Sequence, residues 1–250
     1  MAEKIPKHVA IIPDGNRRWA RANGKSVMYG HKAGTERFRE ISRHAADRGV
    51  KYLSAWGLSL ENAKKRGPAE IAGLMKIFRA QFQDLQTSED IHTRKVKINV
   101  IGRWREKFPA VVKKEIEKAI EATRDYEDYF LNFFLAYNGT DEMVQAIQEM
   151  VEEVTNPPTP RESRSATLAG ESAGRITGET IKRHLFTKDL PPVDLVIRTG
   201  GEPHLSAGFM MWDVADAELY FPEANWPDFT PAEFDKALDF YSARERRFGK

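Results

Sequence analysis

A carboxylate and two guanidinium groups occur together near the start of the chain, within residues 13–20 (Pro-Asp-Gly-Asn-Arg-Arg-Trp-Ala). Arg17 and Arg18 supply charge-assisted donors that suit phosphate oxygens, and Gly15 lets the backbone approach a ligand closely. Mg²⁺ is usually held by one or two carboxylates together with substrate phosphates, a part that Asp14 fits. The segment therefore favours a site for a magnesium–diphosphate complex. Taken alone, an Asp-Gly turn before a solvated helix start explains it equally well.

A second glycine-rich segment with an arginine lies far along the chain, at residues 198–206 (Arg-Thr-Gly-Gly-Glu-Pro-His-Leu-Ser). Like the first, it directly follows a short apolar run. A tight turn with Arg198 in a structural ion pair is the ordinary explanation. Two anion-binding loops in one chain instead indicate two phosphorylated ligands, or a single long one.

Short apolar runs alternate with segments of helical periodicity. This order predicts βαβ units and an α/β fold with a central, mainly parallel sheet flanked by helices. In such sheets ligands bind at the carboxyl ends of the strands, so both loops stand where a ligand is expected. Five strands are predicted, at residues 8–12, 50–56, 96–101, 130–136 and 193–197.

Apolar residues between these strands recur at intervals of three and four, which is the spacing of amphipathic helices. The longest such pattern runs from Ile71 to Leu85 and includes Phe78 and Phe82. Further helices are predicted from about Arg17, around residues 38–45, 112–120 and 143–154, and over residues 231–246.

The composition limits the classes of protein to which the chain can belong. Its 250 residues are 41% hydrophobic and allow one sizeable core, so we predict a single domain over residues 1–250. A mobile surface loop is predicted at residues 156–178, where Pro, Ser, Thr and Gly concentrate. The absence of cysteine excludes disulfides and a thiol nucleophile. Lys and Arg (39) barely exceed Asp and Glu (37), which argues against a nucleic-acid partner.

Neither a signal peptide nor a membrane span is visible, because the start of the chain is polar and no apolar run approaches about 20 residues. We expect a cytoplasmic protein that could still make peripheral contact with a membrane to exchange substrate or product. Four histidines, His8, His44, His92 and His184, lack metal-ligand spacing and are expected at the surface or at helix ends.

Both loops, together with other segments in the same order, resemble the cis-prenyltransferases, the family of undecaprenyl diphosphate synthase-like enzymes. Seven collinear blocks carry the resemblance, at residues 14–20, 30–34, 58–62, 194–201, 206–221, 226–229 and 244–249. Any one block alone would be a weak signal, whereas seven in order along nearly the whole chain are a strong one.

The resemblance implies a Mg²⁺-dependent prenyltransferase that condenses isopentenyl diphosphate onto an allylic diphosphate and forms cis double bonds. It also implies a hydrophobic product tunnel and a homodimer, in which the C-terminal tail reaches the neighbouring subunit's isopentenyl diphosphate. The helix with Phe78 and Phe82 is then a candidate tunnel wall, although ordinary core packing explains most of its positions.

Roles for individual residues follow from the same resemblance. Asp14 would coordinate Mg²⁺ and help to withdraw the diphosphate, and Glu218 would supply a second Mg²⁺ carboxylate from the partner end of the site. Ser59 and Asn62 would lie near the reacting carbons, with His31 close to the allylic diphosphate. The residues implied to bind that diphosphate are Gly15, Asn16, Arg17, Arg18, Trp19 and Arg66 (or Lys65). Those implied to bind isopentenyl diphosphate are Arg198, His204, Ser206, Arg247 and Gly249.

The chain departs from the family pattern at three positions where an arginine is usual, Val27, Thr140 and His204. These departures leave the allylic primer and the product length open. They also leave open the alternative of a related enzyme on the same fold that makes a short or branched diphosphate by a single condensation. A non-catalytic partner subunit is the other alternative, but it would be expected to lack the Mg²⁺ carboxylates that this chain keeps.

Overall fold

The computed structural model describes residues 4–156 and 176–244. Its strands are β1 His8–Ile12, β2 Tyr52–Leu58, β3 Val96–Ile101, β4 Tyr129–Leu135, β5 Leu195–Arg198 and β6 Glu218–Tyr220. They form one sheet in the order β3-β4-β2-β1-β5-β6, and every neighbouring pair runs parallel. The predicted α/β class with a parallel central sheet is therefore confirmed.

Ten α-helices flank the sheet within the described ranges. They are α1 Asn16–Ala22, α2 Val27–Asp47, α3 Leu60–Lys65, α4 Pro68–Thr87, α5 Glu89–Thr93, α6 Trp104–Lys107, α7 Ala110–Ala122, α8 Gly139–Thr155, α9 Gly178–His184 and α10 Pro231–Ala243. Ser26, Thr177 and Thr230 cap α2, α9 and α10, because each side chain accepts a hydrogen bond from the backbone N–H three residues further on. No helix in these ranges is both long enough and apolar enough to cross a membrane.

Both faces of the sheet are buried, as is usual for parallel sheets. On β1, Val9 and Ile11 pack on one face while Ala10 and Ile12 pack on the other. The first face is covered by α2, α4, α7 and α10, and the second mainly by residues 205–217. The ends of β1 and β5 therefore sit inside the protein, where they can hold side chains rigidly.

All five strands predicted from the sequence are present in the structure, and the predicted ends differ from the observed ends by at most two residues. Sequence periodicity missed β6, because three residues are too few for an alternating pattern to be recognised. The predicted helices are also present, including α1 after the first loop. Most of the predicted loop at 156–178 and the end of the last predicted helix fall outside the described residues.

The segment after β5 has little regular structure, but buried hydrogen bonds hold it. The Tyr137 hydroxyl donates to Glu142 Oε2 at 2.5 Å and accepts from the Met210 backbone N–H at 3.2 Å. The other carboxylate oxygen of Glu142 accepts from the Thr187 backbone N–H at 3.0 Å. Burial raises the pKa of Glu142 and outweighs these hydrogen bonds, which would lower it. The cluster fixes residues 205–217 against the sheet.

Only part of the apolar surface of α8 is buried against the rest of the chain. Ala146 and Met150 are buried, but Val144, Ile147 and Val151 are each more than half exposed. The periodicity predicted the helix correctly, yet its most regular apolar stripe faces outward. An apolar helix face of this kind is typical of a protein–protein contact.

His8 is fully buried, so the prediction that it lies at the surface or at a helix end is wrong. Its Nδ1–H donates to the Pro191 carbonyl at 2.9 Å, and its Nε2 accepts from the Ser54 hydroxyl at 2.8 Å. A polar residue at the start of a strand gives no sequence signal that such partners will be found. The other three histidines do lie in the last turns of α2, α5 and α9.

Burial lowers the pKa of His8 to about 4, against an ordinary value near 6.5. The unfolded chain therefore takes up a proton at this residue before the native protein does as the pH falls. The stabilisation is present above pH 6.5 and is lost towards pH 4, by about 3 kcal/mol in the free energy of unfolding. Urea unfolding at several pH values should show this loss in the wild type and a shallower one in His8→Gln. Equal pH slopes for the two proteins would contradict the assignment.

Candidate active site

The main chain of Asp14 joins three separate segments at the carboxyl end of β1. Its carbonyl oxygen accepts from the Trp226 backbone N–H at 2.9 Å and from the Thr199 hydroxyl at 2.8 Å. The next residue, Gly15, has φ 104°, and a Cβ there would lie 2.2 Å from Oδ1 of Asn225. Only glycine fits, so the position of Asp14 is set by backbone geometry.

The Asp14 carboxylate lies between two arginines. Its Oδ2 accepts from Nη2 of Arg198 at 2.9 Å, and its Oδ1 lies 3.3 Å from Nη2 of Arg18. Arg18 also donates to Glu202 Oε1 at 3.2 Å, so charges alternate across the edge of the sheet. The Asp14 side chain keeps 35% of its surface exposed, which leaves it open to a ligand.

Arg198 is the buried member of this arrangement. Its Nη1 donates to the His204 carbonyl at 2.6 Å, which folds the loop after β5 back towards the strand end. Among the described residues, its Nε has no hydrogen-bond partner. Gly200 has φ 87°, and a Cβ there would lie 2.4 Å from Nη2 of Arg18, so the loop passes directly over that guanidinium. The geometry leaves a buried donor available for an anion.

A polar pocket of about 290 Å³ opens beside Asp14. Its walls come from the first loop, α1, α2 and the end of α3, and they carry far more positive than negative charge. The residues that line it are Pro13, Asp14, Gly15, Asn16, Arg17, Arg18, Arg21, His31 and Arg66. The structure thus brings together most of the residues predicted for the allylic diphosphate. It favours Arg66 over Lys65, which instead contacts Glu61 at 3.2 Å, and it adds Arg21.

Glu70 in the first turn of α4 organises the far wall of this pocket. Its Oε1 accepts from Nε2–H of His31 at 3.0 Å and from Nη1 of Arg66 at 2.9 Å, and it lies 4.0 Å from Nε of Arg17. Burial would raise the pKa of Glu70, but the His31 hydrogen bond and the two arginine charges outweigh it and lower that pKa. Sequence analysis missed Glu70, because an acidic residue in a first helical turn is ordinary.

Burial also lowers the pKa of His31, against the opposing effect of the Glu70 hydrogen bond. His31 is therefore neutral at pH 7 and adds a polar group but no charge to the pocket. Its ring is nearly buried, and it lies where the polar pocket meets an apolar cavity.

The apolar cavity, of about 80 Å³, begins where the polar pocket ends, because the two share Pro13, Asn16 and His31. It runs between α2, α4 and the sheet. The apolar or aromatic side chains along it include Phe38, Leu74, Ile77, Phe78 and Phe133. Of the two predicted wall residues, Phe78 lines the cavity, whereas Phe82 is fully buried core and does not.

Ser59 directly follows β2, and Asn62 lies in the first turn of α3. The Ser59 hydroxyl accepts from the Asn62 backbone N–H at 2.9 Å and so caps α3. Neither residue lines the polar pocket or the apolar cavity. Their predicted closeness to the reacting carbons stays a prediction. Trp19 also lines neither space, and its Nε1 donates to Asp228 Oδ1 at 2.8 Å.

The residues predicted for isopentenyl diphosphate are only partly brought together. His204 and Ser206 follow Arg198 in the loop after β5, and the His204 side chain is 58% exposed. Arg247 and Gly249 lie outside the described residues.

Glu218, the second predicted Mg²⁺ carboxylate, pairs with Leu195, three residues before Arg198. Its carboxylate lies 3.8 Å from Nε of Arg244. Within one chain, Glu218 therefore lies about 10 Å, measured along the strand direction, from the edge of the sheet that carries Asp14. A shared metal would therefore require a second copy, and the role of Glu218 stays a prediction.

The donor set around Asp14 fits a magnesium–diphosphate complex. In residues 4–156 and 176–244, no three carboxylates or imidazoles cluster as a ready-made metal site. Mg²⁺ does not need such a cluster when phosphate oxygens and water complete its shell. The described contacts also leave two buried guanidinium nitrogens unpaired near the pocket, Nε of Arg66 and Nε of Arg198. These donors suit phosphate oxygens.

Fold and site together define an α/β protein with an arginine-rich pocket suited to phosphate groups at the carboxyl edge of a parallel sheet, beside a narrow apolar cavity. Comparison with known proteins narrows this class. A family model described as "Putative undecaprenyl diphosphate synthase" matches residues 12–249. The chain therefore belongs to the undecaprenyl diphosphate synthase family of prenyltransferases, as its motifs predicted.

Individual relatives agree with this placement. Over 246 residues the chain is 39% identical to the tritrans,polycis-undecaprenyl-diphosphate synthase (geranylgeranyl-diphosphate specific) of Pyrococcus horikoshii, covering 98% of this chain and 88% of that protein. It is 38% identical to an isoprenyl transferase of Thermus thermophilus, with 98% and 89% covered. The structure of lavandulyl diphosphate synthase from Lavandula x intermedia, in complex with dimethylallyl diphosphate, matches with TM-score 0.85 at 30% identity. That match covers 98% of this chain and 99% of the other.

Removing the Glu70 charge should lower the pKa of His31 further. Glu70→Gln removes the negative charge that raises the pKa of His31, while burial and the positive charge of Arg66, which both lower that pKa, remain. Histidine ring signals followed by NMR across a pH titration would measure the change. Glu61→Gln is the matched control, because Glu61 is exposed and contacts Lys65. A His31 pKa that stays the same or rises in Glu70→Gln would contradict this account of the pocket wall.

Proposed function

We propose that the protein is a cis-polyprenyl diphosphate synthase, which condenses isopentenyl diphosphate onto an allylic diphosphate and forms cis double bonds. The observation that carries this proposal is the Asp14 carboxylate between Arg198 and Arg18, in a polar pocket that continues into an apolar cavity. A prenyl diphosphate has a multiply charged head and an apolar tail, which match these two spaces.

The allylic diphosphate would bind with its head among the arginines of the polar pocket and its tail in the apolar cavity. Its reactive carbon would then lie near the shared wall of Pro13, Asn16 and His31. Isopentenyl diphosphate would bind beside it, on the spare Nε of Arg198 and the loop that carries His204 and Ser206. Holding both substrates at one sheet edge supplies much of the rate by proximity.

The reaction is an electrophilic alkylation. Bound at Asp14, Mg²⁺ would neutralise charge on the departing diphosphate. Arg18 and Arg66 donate to its oxygens as the allylic C–O bond breaks, which stabilises the developing charge. The isopentenyl double bond forms the new C–C bond, and a proton leaves C2 to give the new double bond. Each cycle thus releases one diphosphate and one proton.

Geranylgeranyl diphosphate is the primer that we propose. Several curated relatives at 35–39% identity are named for specificity towards it. The same relatives are named as undecaprenyl diphosphate synthases, which supports repeated condensation. The apolar product would then have to be passed to a membrane surface, so we also propose peripheral membrane contact.

A single-condensation enzyme is the second candidate. The match to the lavandulyl diphosphate synthase structure favours it, together with Val27, Thr140 and His204 at positions where the family usually has arginine. Identity to that protein is 30%, against 35–39% for the relatives named as undecaprenyl diphosphate synthases. A product that carries one added five-carbon unit would identify this alternative.

A homodimer completes the proposal. The exposed stripe of α8 consists of Val144, Ile147, Val151 and Val154, at helical intervals of three and four. A second copy that presents the same stripe about a twofold axis would cover it. Such an arrangement would also allow the C-terminal tail, with Arg247 and Gly249, to act on the neighbouring site.

Asp14→Ala should reduce turnover by about 1,000-fold, because it removes the metal carboxylate from the site of charge development. Incorporation of labelled isopentenyl diphosphate with Mg²⁺ and geranylgeranyl diphosphate would measure this loss, and circular dichroism would confirm folding. Asp239→Ala, at an exposed position of α10, is the control. A folded Asp14→Ala protein with full activity would exclude the proposed mechanism.

Val151→Arg should shift the protein from dimer to monomer, because it places a charge in the middle of the α8 stripe. Val111→Arg is the matched control, since Val111 on α7 is 57% exposed and Val151 is 56% exposed. Sedimentation velocity would report the oligomeric state. Dimerisation that survives Val151→Arg would place the interface elsewhere.

A further inference from the structure

Positive charge is concentrated in one segment of the chain, residues 15–35. This segment contains five Lys or Arg residues and no Asp or Glu, whereas the whole chain has a net charge of only +2. The remainder of the chain is therefore slightly acidic. A local excess of positive charge attracts an anionic partner to one face of a protein. The five cationic residues are Arg17, Arg18, Arg21, Lys25 and Lys32.

Three of these cations have no acidic partner. The two arginines nearest Asp14 contact carboxylates, as described above. In residues 4–156 and 176–244, however, no ion pair involves Arg21, Lys25 or Lys32. Glu36, one turn after Lys32 on α2, pairs with Arg39 instead. Arg21, Lys25 and Lys32 are all exposed, so their charge is available to an anion from outside the protein.

Two stacked aromatic rings lie among these cations, where the chain passes from α1 to α2. The rings of Trp19 and Tyr29 are parallel to within 5°, and their centroids are 6.2 Å apart. Nζ of Lys25 lies 5.5 Å from the centroid of the Tyr29 ring. Lys32 follows Tyr29 by three positions on α2, so the two side chains are neighbours on the helix surface. We call Trp19, Arg21, Lys25, Tyr29 and Lys32 the α1–α2 patch.

The two rings combine an apolar body with a polar tip. Tyr29 is 50% exposed, and Trp19 is half-buried with its Nε1–H donated to Asp228. Tyrosine and tryptophan beside lysine and arginine are typical of surfaces that lie at the headgroup level of a bilayer. Nucleic-acid bases also stack on exposed rings, but the nearly balanced charge of the whole chain argues against such a partner.

The α1–α2 patch borders the polar pocket. Arg21 belongs to both, and Lys32 directly follows His31, which also lines the pocket. A bilayer that contacts the patch would therefore hold its headgroups beside the pocket. The allylic diphosphate and the polyprenyl product of the proposed reaction both have a charged head and an apolar tail. A bilayer suits such molecules better than water does, because it buries the tail and leaves the head exposed.

We propose that the α1–α2 patch is the surface by which the protein docks on a bilayer that contains anionic phospholipids. The cations bind the lipid headgroups, and the two rings lie at the boundary between headgroups and acyl chains. The patch thereby places the polar pocket against the membrane surface, from which the allylic substrate enters. The purpose of this contact rests on the proposed prenyl transfer at Asp14, whereas the contact itself requires no catalysis.

Co-sedimentation with vesicles, without substrates, tests the patch directly. The wild type should bind vesicles that mix phosphatidylglycerol with phosphatidylcholine far better than vesicles of phosphatidylcholine alone. Lys25→Glu/Lys32→Glu should lower the partition coefficient about 25-fold or more, because each lysine near an anionic surface contributes about fivefold. Tyr29→Ser should lower it without changing its salt dependence, because no charge is lost. The matched control is Lys107→Glu/Lys114→Glu, since both lysines are exposed, lie seven positions apart and form no ion pair among the described residues.

The outcomes separate this proposal from the proposed reaction. A protein that binds anionic vesicles through the patch but transfers no prenyl group would keep the docking surface and overturn only the reaction. No wild-type binding to anionic vesicles, or equal binding by the wild type and Lys25→Glu/Lys32→Glu, would overturn the docking surface whatever the activity. Binding of single-stranded DNA that the same variant loses, without any binding to vesicles, would assign the patch to a nucleic acid instead.

Discussion

The contact between Asp14 and Arg198 is the interaction on which the site depends. The two residues lie 184 positions apart in sequence, yet β1 and β5 are neighbours and bring Oδ2 and Nη2 to 2.9 Å. The Trp226 backbone N–H and the Thr199 hydroxyl both donate to the Asp14 carbonyl, and together with the left-handed Gly15 they fix the main chain of Asp14. Arg198 and Arg18 balance the charge of the Asp14 carboxylate from both sides. The same guanidinium groups are the donors that phosphate oxygens would need, so this one contact links the fold to the site.

Helices α2 and α4 join this charged site to the apolar cavity. On α2, His31 lines the polar pocket, and Phe38, two turns later, lines the cavity. On α4, Glu70 holds the pocket wall through His31 and Arg66, and Phe78 lines the cavity. Each helix changes from polar to apolar along one face, so the two helices place the charged pocket and the apolar cavity end to end.

The sequence allowed much of this to be predicted, because strands and phosphate loops are local features. Apolar runs located β1 to β5, and the residues around Asp14 and Arg198 marked the edge of the sheet. The role of Glu70 could not be predicted, because it depends on α3 and α4 turning its carboxylate towards His31. The burial of His8 depends on Pro191 and Ser54, which lie far away in sequence. The outward face of α8 shows the same limit, since periodicity predicts a helix but not what covers it.

The most direct test of the central claim is an incubation with Mg²⁺ and labelled isopentenyl diphosphate. Geranyl, farnesyl and geranylgeranyl diphosphates are supplied in separate reactions, and product lengths are read by chromatography. The account predicts a ladder of long products, strongest with geranylgeranyl diphosphate. A single short product would show that the enzyme stops after one condensation. The absence of product with every primer would contradict catalysis at Asp14.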